Sequence, residues 1–174
     1  KLTTIGKQMF QGCTALVNFI VPDNVTLIGE RAFQGCTNLK TLTFPASYKA
    51  ETLSFGLTPF VSCPAFEGYV IEDGASIVRT EDGTLLAGGG KVLVSLPRDF
   101  KGTSYTVPDG VETISDYLFY KNTTITSVTL PASLKKIGTA AFQGCTKLTS
   151  IALPVGFTTL GEHAFDGCSG LKTM

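Results

Sequence analysis

The chain has 174 residues, with 14 Lys and Arg against 14 Asp and Glu, so it carries no net charge and only 16% of its residues are charged. This balance excludes a broadly basic nucleic-acid grip, which needs surplus cations to neutralise phosphates. An apolar share of 43% excludes a disordered chain, no apolar run is long enough to cross a bilayer, and a single His nearly removes His triads and multi-His metal centres.

Along the chain, the first landmarks are Ile5, Phe10, Gly12, Cys13 and Leu16, and they return in order. Ile28-Gly29-Glu30-Arg31-Ala32-Phe33-Gln34-Gly35-Cys36-Thr37-Asn38-Leu39 reappears as Ile137-Gly138-Thr139-Ala140-Ala141-Phe142-Gln143-Gly144-Cys145-Thr146-Lys147-Leu148. A weaker copy spans Leu160 to Leu171. Phe10 to Phe33, Phe142 to Phe165, Pro22 to Pro45 and Pro131 to Pro154 are each 23 residues apart. Phe119 marks a further copy, with Asn122 where Cys stands elsewhere. Self-similarity at such a period is the signature of stacked repeat units, none of which can bury its apolar face alone.

Within one copy, Ile151 and Leu153 alternate with Ser150 and Ala152, which predicts a strand, closed by Pro154, which has no N–H to donate. A second short strand is expected near 134–137. Thr139–Gly144 is too short for a full helix and predicts one helical or 3₁₀ turn, with Phe142 as its interior plug. The third copy keeps Phe60, Cys63 and Phe66 at the usual spacing, and Tyr69 and Ile71 fall where Leu42 and Phe44 fall. It reaches them through a four-residue insertion within 46–59. Residues 72–101 leave the pattern, with turn signals at Asp73-Gly74, Asp82-Gly83 and Gly88-Gly89-Gly90, and read as a hairpin-rich variant. Tyr105-Thr106-Val107-Pro108 re-enters the repeat.

The pattern I-G-x-x-A-F-x-G-C-x-x-L-x-x-I-x-L-P, nearly complete over residues 5–45 and 111–171, resembles that of the BspA-like leucine-rich repeat family. Asp82-Gly83-Thr84-Leu85-Leu86 and Val94-Ser95-Leu96-Pro97 are similar to a hairpin-containing variant of it. The resemblance implies a β-rich α/β fold: a right-handed, curved leucine-rich-repeat solenoid with parallel strands stacked at the 23-residue period. It would form one domain over residues 1–174, regular over 1–45 and 111–174 and irregular over 46–110. It also implies a secreted or surface-attached bacterial protein, extracellular, with adhesins among its relatives. The first and last copies are cut by the chain ends, which leads to the expectation of a trimmed sequence or end-to-end association.

Several chemistries fail on spacing. Cys13, Cys36, Cys63, Cys145 and Cys168 fill one repeat position, so stacking sets their side chains in parallel, unsuited to disulfides, and no two are close enough in sequence for a structural zinc. Small buried hydrophobes are the expected role. Gly88-Gly89-Gly90-Lys91 lacks the Gly and Ser or Thr of a phosphate loop and the glycines of a dinucleotide loop, so it reads as a turn. His163 shares its repeat position with Arg31 and Ala140 and is expected at the surface. Glu72-Asp73 and Glu81-Asp82 lack the ligand spacing of a calcium loop. Asn24 and Asn122 begin glycosylation sequons, of consequence only in a eukaryote. No catalytic, cofactor or metal residues are expected.

The remaining candidate surface is the solvent face of the stacked strands, in two columns: Asn18, Thr41, Ser127 and Ser150, then Ile20, Thr43, Thr129 and Ala152. These side chains are uncharged and mostly small hydroxyls. The expected function is a non-catalytic module for protein binding or adhesion to a host or bacterial extracellular protein. A glycan is the alternative, held by some of Tyr48, Phe55, Phe60, Tyr69, Tyr105, Tyr117 and Tyr120. A further alternative is a structural spacer.

Overall fold

A computed structural model describes residues 1–96 and 100–174; Pro97, the last residue of the variant motif, lies outside them. The chain forms two compact units, Lys1–Glu81 with Leu85–Gly89 and Asp82–Thr84 with Gly90–Met174.

The first unit holds β1 (Thr4–Ile5), β2 (Asn18–Ile20), β3 (Leu27–Ile28), β4 (Thr41–Phe44), β5 (Ser54–Phe55), β6 (Gly68–Ile71), β7 (Val78–Arg79) and β8 (Leu85–Ala87). Each turn of chain contributes one strand to each of two parallel sheets, β1-β3-β5 and β2-β4-β6. The register follows the repeat: Asn18 pairs with Thr41 and Ile5 with Ile28. Thr41 then pairs with Gly68 and Ile28 with Phe55, an offset longer by the four-residue insertion. β7 and β8 form the hairpin expected of the variant segment, antiparallel, with Val78 opposite Leu86.

The second unit holds β9 (Val92–Ser95), β10 (Ser104–Thr106), β11 (Thr113–Ile114), β12 (Ser127–Thr129), β13 (Lys136–Ile137) and β14 (Thr159–Leu160). β10 pairs with β12, and β9, β11, β13 and β14 follow in parallel order. Single bridges carry the first ladder on from Ser127 to Ser150 and to Thr173. Both units are therefore stacks of repeat turns, about 4.8 Å apart as parallel strands require.

Apolar residues at alternate strand positions meet inside. Ile5, Ile28, Phe33, Leu39, Leu42 and Phe44 are fully buried in the first unit, and Ile114, Ile137, Phe142 and Leu148 in the second. The phenylalanine plugs stack turn on turn. Phe10, Phe33 and Phe60 lie 5.2 and 5.6 Å apart, and Phe119, Phe142 and Phe165 lie 4.7 and 5.1 Å apart.

The segment 139–144 is not the helical or 3₁₀ turn its length suggested. Ala140 has φ 52° and Gly144 φ 75°, so left-handed residues break the helix at every fourth position. The N–H groups instead alternate in direction. Gln143 and Cys145 donate back three residues within the turn, to Ala140 and Phe142, while Ala140, Phe142 and Gly144 donate to Glu162, Ala164 and Asp166 of the next turn at 2.8 Å each. The same alternation runs through Gln8, Phe10 and Gly12, and through Tyr117, Phe119 and Lys121. Every buried backbone donor must find a partner, and this arrangement serves both the turn and the stack.

Close stacking explains Gly138. A Cβ there would meet Asp116 N at 2.6 Å and Ser115 C at 2.7 Å, both in the turn below.

Candidate functional site

Strand alternation sets the proposed face. In the first unit Phe19 and Leu42 point inward, which leaves Asn18 and Ile20, then Thr41 and Thr43, facing out. Thr41 Oγ1 donates to Asn18 Oδ1 at 2.9 Å. Ile20 is 67% exposed and Val70, next to Thr43 in the ladder, 44%. The structure thus extends the two predicted columns by Gly68 and Val70. The sequence signal was available, because aligning Tyr69 with Leu42 fixes both neighbours.

In the second unit Ser127, Ser150 and Thr129 lie on the corresponding outward positions and are exposed, as is Ala152. Ser104 and Thr106 of β10 pair with Ser127 and Thr129, and Thr173 continues the row beyond Ser150. All these side chains are neutral. Among the described residues the ion pairs lie elsewhere, on segments that flank the strands of the other sheet. Lys7 Nζ lies 2.8 Å from Glu30, and Glu112 joins Lys135 at 2.8 Å and Lys91 at 3.4 Å. Hydrogen bonds from Lys7 and Lys135 hold the Glu30 and Glu112 carboxyls below their ordinary range.

The cysteine column has a role beyond filling space. Phe142 O accepts from Cys145 N–H at 3.0 Å and from the Cys168 thiol of the next turn at 3.0 Å. Phe10 O and Phe33 O do the same with the Cys36 and Cys63 thiols, each at 3.0 Å, and Phe119 O with Cys145 at 3.1 Å. A carbonyl has two lone pairs, and a thiol is a weak donor small enough to reach the second from the turn above. Sequence reading treated these thiols as apolar filler and could not see the acceptor, which lies 26 or 30 residues away. All five thiols are free.

Burial pushes the Cys36 and Cys63 thiols up, and that of Cys145 to about 12. Cys13 is exposed. A thiol reagent at pH 8 should therefore label Cys13 quickly and reach Cys36, Cys63 and Cys145 only after denaturation, because only a thiolate in contact with solvent reacts. Equal labelling rates at all five positions, read by peptide mass spectrometry, would contradict this arrangement.

The other candidates resolve into local structure. His163 is exposed, in the left-handed conformation with φ 56°. Glu72 accepts from Ala46 N–H at 3.0 Å, and Asp82 from Thr84 N–H at 3.0 Å. Gly88, Gly89 and Gly90 all have positive φ and form a tight turn after β8. Asn122 Oδ1 accepts from Thr124 and Ile125 N–H. Among the described residues no group of His, Cys, Asp and Glu could hold a metal ion, and no helix is long and apolar enough to cross a membrane.

The aromatic residues divide into two sets. Tyr48, Phe55 and Tyr105 are buried, with Tyr48 Oη donating to Val25 O at 2.5 Å and Tyr105 Oη 3.0 Å from Thr84 Oγ1. Phe60 and Tyr69 join the ring stack around Phe66. Tyr117 and Tyr120 remain partly exposed.

The family model for the BspA-type leucine-rich repeat region matches residues 1–76 and 98–174, in 6 copies. No curated protein matches. Among solved structures, a leucine-rich cell-surface protein of Faecalibacterium prausnitzii is similar at 28% identity and a TM-score of 0.60, over 98% of this chain and 50% of that one. The pneumococcal vaccine antigen PcpA is similar at 26% identity and a TM-score of 0.59, over 85% of this chain and 41% of that one. A leucine-rich repeat protein of Eubacterium ventriosum, at 21% identity and a TM-score of 0.57 over 98% and 56%, shares the fold. The chain thus spans roughly half the length of these solved proteins. With the 23-residue register, the stacked parallel strands and a family match that leaves out only residues 77–97, the chain belongs to the BspA-type leucine-rich repeat family.

Proposed function

We propose that this chain is a non-catalytic binding or adhesion module of a bacterial surface or secreted protein, and that it engages an extracellular protein through the outward face of its stacked strands. The observation that supports this reading is the make-up of that face in the first unit. Ile20 and Val70 stand exposed on either side of Thr43, next to the hydrogen-bonded pair Asn18–Thr41. Such a face combines burial of apolar area with neutral hydrogen bonding and does not require a charged partner. Repeat stacks present extended surfaces of this kind to their ligands. A surface setting is supported by similarity to one protein described as a cell-surface protein and another described as a vaccine antigen.

The test is solid-phase binding of the purified chain to a panel of host and bacterial extracellular proteins. Wild type should bind at least one of them, and Ile20→Asp with Thr43→Arg should weaken that binding at least tenfold, the effect of losing a central contact. Equal binding by the double variant, with its fold intact by circular dichroism, would contradict the assignment of the face.

A further inference from the structure

A different patch departs from the repeat in a way that stacking does not require. At residues 117–122 the core position Phe119 is kept and buried, while four surrounding positions change. Tyr117 occupies the left-handed site held elsewhere by Gln8, Arg31, Ala140 and His163, with φ 57°. Tyr120 stands where the other turns place Gln11, Gln34, Gln143 and Asp166. Those residues pair as Gln11–Gln34 at 3.1 Å and Gln143–Asp166 at 2.8 Å. Lys121 takes the position of Gly12, Gly35, Gly144 and Gly167, with φ 54°, a conformation that costs a residue with a side chain more than it costs glycine. Asn122 replaces the cysteine and ties the end of the turn to Thr124 and Ile125. Ser62 also sits in the glycine column with φ 59°, so strain alone is not distinctive; the surrounding side chains are.

Those side chains form a corner. The Tyr117 and Tyr120 rings meet edge to face, 5.9 Å between centroids and 77° between planes. The Lys121 ammonium lies 5.2 Å over the Tyr120 ring. The lysine stem runs across Gly144, where a Cβ would come within 3.2 Å of Lys121 Cγ. Tyr48 and Tyr105 spend their hydroxyls on Val25 and Thr84. Among the described residues, the Tyr117 and Tyr120 hydroxyls have no such partner and are left to solvent. Two partly exposed rings held at an angle, with two hydroxyls and an ammonium at their rim, match the needs of a sugar. A sugar ring offers an apolar C–H face for stacking and hydroxyls for hydrogen bonds.

We propose that the corner formed by Tyr117, Tyr120 and Lys121 is a saccharide-binding site that stacks a pyranose ring. It is independent of the strand-face reading, so either can fail alone. The test starts from a glycan array that displays host, plant and bacterial-wall saccharides, probed with the intact chain. A hit is then titrated by tyrosine emission, which is usable because the chain has 5 Tyr and no Trp. At least one saccharide should bind saturably, with affinity falling about tenfold or more in Tyr120→Ala and in Tyr117→Ala. Lys121→Gly restores the residue of the other turns, so it should keep or raise the Tm while weakening the saccharide. Ile20→Asp with Thr43→Arg should leave saccharide affinity unchanged. A blank array, equal affinity in both tyrosine variants, or a blank array alongside loss of protein binding in Tyr120→Ala would overturn the proposal.

Discussion

Phe142→Ala should destabilise the second unit by about 3–5 kcal/mol, the usual cost of truncating a fully buried phenylalanine. The ring has no exposed surface and sits between Phe119 at 4.7 Å and Phe165 at 5.1 Å. Its backbone is fixed as well, because N–H donates to Ala164 and C=O accepts from both Cys145 and Cys168. The cavity therefore cannot be closed by shifting the turn, and the neighbouring rings lose contacts on one side each. Urea denaturation followed by circular dichroism would measure the loss. The same truncation at Phe165, which is partly exposed, should cost less. A Phe142→Ala effect below about 1 kcal/mol would mean that the rings do not act as the axis of the stack.

Gly138→Ala should be of comparable size, about 3 kcal/mol, at the upper end of overpacking costs. The atoms in the way are Asp116 N at 2.6 Å and Ser115 C at 2.7 Å, backbone atoms that cannot rotate aside. Thr139 N–H also donates to Asp116 Oδ1 at 2.8 Å, so separating the turns breaks that bond. Gly12→Ala is the comparison. A Cβ there meets nothing within 4 Å, and the residue has φ 73°, so its cost should be the smaller left-handed penalty, about 1–2 kcal/mol. Equal effects at the two positions would show that backbone conformation, and not the distance between turns, selects glycine after the second strand.

Most of the fold was legible because a repeat states its own register. The spacing of Phe33 from Phe10 and of Cys168 from Cys145 places residues opposite one another without any propensity argument. The longer interval from Pro45 to Cys63 than from Pro22 to Cys36 located the insertion that the ladder then accommodates. The turn at 139–144 differs in kind from the expected helical turn, because one copy taken alone offers only local hydrogen-bond partners. Half of its donors are satisfied by the next turn, a partner only the stack provides. The candidate face was legible as columns, since strand alternation needs only the identity of the inward residues. The double acceptance at Phe10, Phe33, Phe119 and Phe142 was not, because it depends on where a thiol points. Nor was the division among the aromatics: Tyr105 and Tyr117 look alike in sequence, yet one is buried against Thr84 and the other lies partly open.

Hydroxyl-radical footprinting of the chain, free and bound to an extracellular protein it captures, tests the functional account most directly. Ile20, at 67% exposure, and Val70, at 44%, are oxidisable reporters on the strand face, whereas Met9 at 51% and Val155, fully exposed, lie off it. The account predicts that binding slows oxidation of Ile20 and Val70 and leaves Met9 and Val155 at their free rates. Protection of Met9 or Val155 with Ile20 and Val70 unchanged would contradict it.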